Sequence, residues 1–113
     1  MNDAVIDPIV FSEVSLLMED SLSIFIDTYI ENTCKLLAKL EQAIPAEDSE
    51  SIFQNVHQLK GGSGSIGAMQ VFQIAKQMED TIKDGNTGAE LIRLFVDLKT
   101  AYVAAEAELK AHL

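Results

Sequence analysis

The chain has no tryptophan, one cysteine, two prolines and eight basic residues among 113. One thiol, Cys34, cannot close an internal disulfide, and there is no Cys/His cluster of the kind that holds a metal, so no metal site is expected. The eight bases face eighteen acids, for a net charge of -10. Nucleic acids and anionic membranes are held by basic patches, so neither is expected as a partner. No apolar run approaches the roughly 18–20 residues of a membrane span. The N-terminal stretch MNDAVIDPIVF lacks the basic start of a signal peptide. These absences lead us to expect a cytoplasmic protein.

What is present suits one helical domain. Apolar residues make up 48% of the chain and the mean hydropathy is +0.14, enough to fill a modest core. Pro8, Pro45 and the Gly85–Gly88 stretch punctuate it, and between these breaks the apolar spacing is helical. A short first helix is expected over about residues 9–18. Asp20 or Ser21 can cap a second, with a stripe of Leu22, Phe25, Ile26, Tyr29, Thr33, Leu36, Leu37, Leu40 and Ile44. Asp48 or Ser49 can cap a third, carrying Ile52, Val56 and Leu59. The fourth carries Val71, Ile74, Ala75, Met78 and Ile82. The fifth opens on Thr87-Gly88-Ala89-Glu90, a capping-box pattern, and buries Leu91 through Leu109 at helical steps. No segment alternates like a strand. The expected fold is all-α: an antiparallel four-helix bundle with an additional short N-terminal capping helix, a single domain over residues 1–113.

Four of the six glycines fall in HQLKGGSGSIGA, His57 to Ala68. The stretch contains a literal G-x-G-x-x-G, but a dinucleotide loop needs a strand before it, and here Ile52, Val56 and Leu59 mark a helix face. No Gly-Lys-Ser/Thr follows, which removes a Walker A loop as well. Continuing the third helix through the glycines gives a different picture. Ile52, Val56, Leu59, Ser63 and Ile66 share one face, and His57 lies opposite. Gly61 and Gly64 fall within roughly 40° of His57, and Lys60 about 60° to its other side. Each interior glycine costs a helix about 1 kcal/mol relative to alanine, so three of them need a reason. Gly62 lies near the core side, where a close helix approach would explain it. Gly61 and Gly64 bare the surface beside an exposed histidine, as if another body must come close. Gly67 is expected to end the helix.

A neutral imidazole is nucleophilic, and histidine's ordinary pKa of about 6.5 suits a temporary phosphoryl carrier. Lys60, one turn on, is a mobile cation for the phosphoryl oxygens. Phe53 lies one turn before His57 and within about 40° of its face. An exposed aromatic there is expected to belong to a docking patch, with packing against the first helix as the alternative. His112 and Cys34 have no such surroundings and are expected to carry no chemistry.

His57, Leu59, Lys60, Gly61, Gly62, Ser63, Ile66, Gly67 and Ala68 resemble, position by position, the signature of histidine-containing phosphotransfer (HPt) domains. Met78-Glu79 resembles the aliphatic-Glu/Gln pair of the family's next helix. The resemblance spans nearly the whole chain. It implies that His57 accepts a phosphoryl group from a receiver-domain aspartate and passes it to another receiver. It implies that Glu79 accepts a hydrogen bond from Nδ1–H of His57 and leaves Nε2 to attack. It also implies a phosphorelay carrier rather than an enzyme, with no cofactor of its own and Mg²⁺ on the partner receiver. The implied partners are response-regulator receivers and a hybrid sensor histidine kinase. A standalone, monomeric protein is expected. The alternative is a helical adaptor that binds a signalling partner without chemistry; the intact His57, Lys60 and glycines weigh against it.

Overall fold

The computed structural model describes residues 4–113, so the first three residues of the expected domain lie outside the described residues. Five α-helices follow one another: α1 (Pro8–Met18), α2 (Leu22–Ala43), α3 (Ser49–Ile66), α4 (Met69–Lys83) and α5 (Ala89–Lys110). A single 3₁₀ turn, Glu19–Ser21, joins α1 to α2. The described residues contain no strand. The four longer helices pack as neighbours in the order α2, α3, α4, α5, and α5 returns to α2, which closes an antiparallel four-helix bundle.

The apolar stripes become the core. Ile26, Leu40, Ile52, Val56, Leu59, Ile66, Val71, Met78, Leu91, Leu98 and Leu109 are all but inaccessible to solvent. Leu22, Phe25, Leu37 and Ile74 lie at its margin, half-buried. The interior also holds polar groups. Tyr29 Oη lies 2.7 Å from Ser63 Oγ, a buried hydrogen bond that pins α2 to the glycine-rich part of α3. Asn55 is buried as well, and its side chain donates to the Ser51 carbonyl at 2.8 Å.

Local chemistry sets the ends of α1 and α3. Asp7 caps α1, accepting from the amides of Ile9 and Val10, with Pro8 in the first turn. Asp48 caps α3 by accepting from Ser51 N. Gly67 ends α3 at φ 87°, the left-handed geometry that disfavours a side chain. Its carbonyl accepts from Asp7 N at 2.7 Å, which ties the start of α1 to the end of α3. Phe11 and Val14 bury the inner face of α1 there, and the ring of His112 lies 4.5 Å from that of Phe11. The C-terminal histidine therefore packs on α1 instead of lying free.

The expected capping box at α5 does not form. Gly88 is the N-cap residue and makes no side-chain cap. Thr87 Oγ1 donates instead to Glu47 Oε1 at 3.0 Å, across to the turn before α3, and Glu90 is paired with Arg93. A contact from a distant segment overrides the local pattern.

Candidate functional site

The geometry of α3 follows from its buried face. Ile52, Val56, Leu59, Ser63 and Ile66 point into the core and turn His57 outward. Its side chain is 61% exposed. Opposite it on α4, Met78 anchors the helix in the core and the next residue, Glu79, is almost wholly buried at the α3–α4 boundary.

Glu79 organises the site. Its Oε2 lies 2.8 Å from Nδ1 of His57. With the carboxylate ionised, that contact fixes the proton on Nδ1 and leaves Nε2 as the nitrogen with a free lone pair. Lys60 Nζ donates to Oε1 at 2.9 Å, and Lys83 Nζ stands 3.6 Å from the same oxygen. Burial is the largest single influence on this carboxyl and pushes its pKa up. The hydrogen bonds and charges of Lys60 and His57 together outweigh it and hold the group down at about 2. Two ammonium groups thus face one carboxylate, in a chain whose overall charge is -10.

Phe53 is half-buried and packs against the core margin. Its ring stacks on His57, with centroids 5.8 Å apart and planes at 11°, and Lys83 Nζ lies 5.7 Å from its centroid. The aromatic thus forms one wall of the histidine site. It is less exposed than the helical wheel suggested, because α4 rises beside it.

The glycines divide by role. An added Cβ on Gly61 would meet nothing within 4 Å, so the surface beside His57 is open there. Gly64 is a correction. It is half-buried, and a Cβ would lie 3.1 Å from the Phe72 ring of α4. Its missing side chain makes room for a neighbouring helix's aromatic, not for access from outside. Gly62 also departs from expectation: it is exposed, and its Cβ would make ordinary 3.8 Å contact with Tyr29. Gly62, Gln58, Phe25, Tyr29, Lys35 and Lys39 border an open groove of about 450 Å³ between α2 and α3.

The structure therefore brings His57, Lys60, Glu79 and Phe53 together, with Gly61 beside them and Gly64 turned to α4. Sequence reasoning missed Lys83. The signal was available, because Lys83 follows Glu79 by four residues and must share its face.

Comparison with known proteins identifies the family and the fold. The Hpt domain family model matches residues 25–109. The chain superimposes with a TM-score of 0.92 on the crystal structure of histidine-containing phosphotransfer protein B (HptB) from Pseudomonas aeruginosa, at 22% identity, over 98% of this chain and 96% of that one. It is 27% identical over 95 residues to the chemotaxis protein CheA of Salmonella typhimurium, covering 73% of this chain and 14% of CheA. The chain thus spans about one seventh of the length of that relative.

Proposed function

This chain belongs to the Hpt domain family, and from that membership we propose that His57 is the residue that carries its phosphoryl group in a phosphorelay. The single observation that carries the assignment to His57 is its pairing with Glu79: Nδ1 is held at 2.8 Å by a buried carboxylate, on a side chain otherwise open to solvent. The donor is a receiver-domain aspartyl phosphate. The Nε2 lone pair attacks phosphorus, the P–O bond to the aspartate breaks, and the aspartate leaves as carboxylate. The Nδ1 proton stays on the ring, which takes on positive charge as the N–P bond forms. Glu79 faces that charge and stabilises it. Lys60 supplies an ammonium for the phosphoryl oxygens. Transfer onward reverses these events on a second receiver.

In this reading the chain is a carrier without a cofactor, and the receiver brings Mg²⁺ and most of the catalytic groups. Receiver docking uses the open surface at Gly61 and the Phe53 wall, which must admit an aspartate-bearing loop to Nε2. A hybrid sensor kinase is the expected source of phosphoryl groups, and the whole chain acts as one cytoplasmic, monomeric domain. No helix among the described residues is long and apolar enough to cross a membrane, which is compatible with that placement.

The test is transfer itself. Phosphorylated receiver domains with Mg²⁺ are mixed with the protein and with His57→Gln. An acid-labile, base-stable label that requires His57 is expected. If no receiver labels the chain while the same receivers charge a known carrier, the adaptor reading replaces this one.

A further inference from the structure

One oxygen of Glu79 faces two lysines. Lys60 Nζ is in hydrogen-bond contact with Oε1 at 2.9 Å, and Lys83 Nζ waits at 3.6 Å. Lys83 is also held over the Phe53 ring at 5.7 Å, and that ring is stacked on His57. The carrier reading asks two things of Lys60 at once. It must neutralise a buried carboxylate, and it must turn to a phosphoryl group that brings up to two negative charges. A single ammonium has three donors but one charge, which the carboxylate and the phosphoryl oxygens must share. As Lys60 turns, the buried carboxylate keeps the positive ring of phosphorylated His57 on Oε2 but loses the cation on Oε1, and an unpaired buried oxygen is unfavourable.

We propose that Lys83 is a positioning residue that takes over Oε1 of Glu79 when Lys60 turns to the phosphoryl group on His57, a handover between two lysines on one carboxylate oxygen. The proposal rests on the carrier reading. Lys83 is 58% exposed on its side-chain surface, so its stem is free to move. Closing from 3.6 Å to the 2.9 Å that Lys60 has now needs only side-chain rotation. Glu79 then stays ionised and keeps its hold on Nδ1 throughout. Phe53 keeps the waiting ammonium near the site, since an aromatic face attracts a cation. Lys83 touches neither the reacting nitrogen nor phosphorus in this scheme.

Two measurements separate the handover from the carrier reading. The first needs no phosphate: the Glu79 carboxyl is titrated by ¹³C NMR in the wild type, Lys60→Gln, Lys83→Gln and the double variant. His57 bears on the carboxyl in all four proteins, and the double variant should raise its pKa by more than the two single effects combined. If Lys60→Gln alone raises it as far as the double variant does, the handover is wrong. The second compares the transfer equilibrium with one phosphorylated receiver. Lys83→Gln should lower the phosphorylated fraction of the carrier relative to the receiver by about threefold to fivefold, the scale of one partly exposed charge contact. Lys83→Arg should restore it. Lys76→Gln, which removes an exposed charge from the same helix, should leave it unchanged. An equal fall in Lys76→Gln would reduce Lys83 to a surface charge and overturn the proposal. A labelled wild type with the contrary titration contradicts the handover alone. An unlabelled wild type with the expected titration contradicts the carrier reading, and with it the release of Lys60 to a phosphoryl group.

Discussion

Oε2 of Glu79 and Nδ1 of His57 lie 2.8 Å apart, although 22 residues of chain separate them. The contact joins an exposed ring to a buried carboxylate, so the bundle itself decides which imidazole nitrogen is available. Glu79→Ala removes the acceptor and leaves Lys60 without its partner. Losing the partner of a histidine's second nitrogen costs about 10–100-fold in metal sites, and a fall of the same size is expected in the phosphotransfer rate. Glu79→Gln retains an acceptor and should lose less. Rapid-quench transfer kinetics, paired with circular dichroism to establish folding, measure both.

The same carboxylate makes the fold acid-sensitive. Its pKa is about 2 in the folded chain, against 4.5 ordinarily. A depressed carboxyl contributes stability that is fully present above its unfolded pKa and is lost as pH falls through the folded one. The contribution of Glu79 should therefore hold above about pH 4.5 and fade towards pH 2. Urea melts of wild type and Glu79→Gln should differ most near neutrality, and the gap should narrow across that window. A gap that is constant with pH would contradict the assignment.

Gly61 and Gly67 predict opposite responses to the same substitution. Gly61 is helical, with nothing within 4 Å of an added Cβ, so Gly61→Ala should stabilise the fold by about 1 kcal/mol. Gly67 has φ +87°, and a Cβ would lie 3.2 Å from Val10 and 3.3 Å from the Asp7 carbonyl. Gly67→Ala should destabilise by about 1–2 kcal/mol from backbone geometry, with crowding adding to it. Thermal melts of the two variants give the signs directly.

Gly61 also separates stability from access. Gly61→Leu places bulk beside His57 from a position whose Cβ meets nothing within 4 Å. Transfer from a phosphorylated receiver should drop well below that of Gly61→Ala while the melting temperature stays at or above the wild-type value. Equal transfer in the two variants would remove Gly61 from the docking surface.

These contrasts show why some features were legible in the sequence and others were not. The helices were readable because the bundle buries one stripe per helix, and Ile52, Val56 and Leu59 keep that spacing without interruption. The outward direction of His57 followed from the same stripe. Gly64 was misread because a wheel for α3 contains no information about Phe72, which α4 folds against it. The capping box at Thr87 failed for a similar reason, since Glu47 reaches that hydroxyl from 40 residues away. Phe53 was placed by the wheel of its own helix, with packing on the first helix as the alternative, and the α4 lysine beside it was not in view. Local periodicity determines which face is buried. What stands on the opposite face depends on the neighbour, and that information is tertiary.

The most direct measurement is the position of the phosphorus atom. The ¹⁵N-histidine-labelled protein is charged by a phosphorylated receiver and examined by ³¹P and ¹⁵N NMR. The account predicts one phosphorus bonded to Nε2 of His57, with the Nδ1 proton retained and still hydrogen-bonded. Phosphorus on Nδ1, on His112 or on a carboxylate would contradict it.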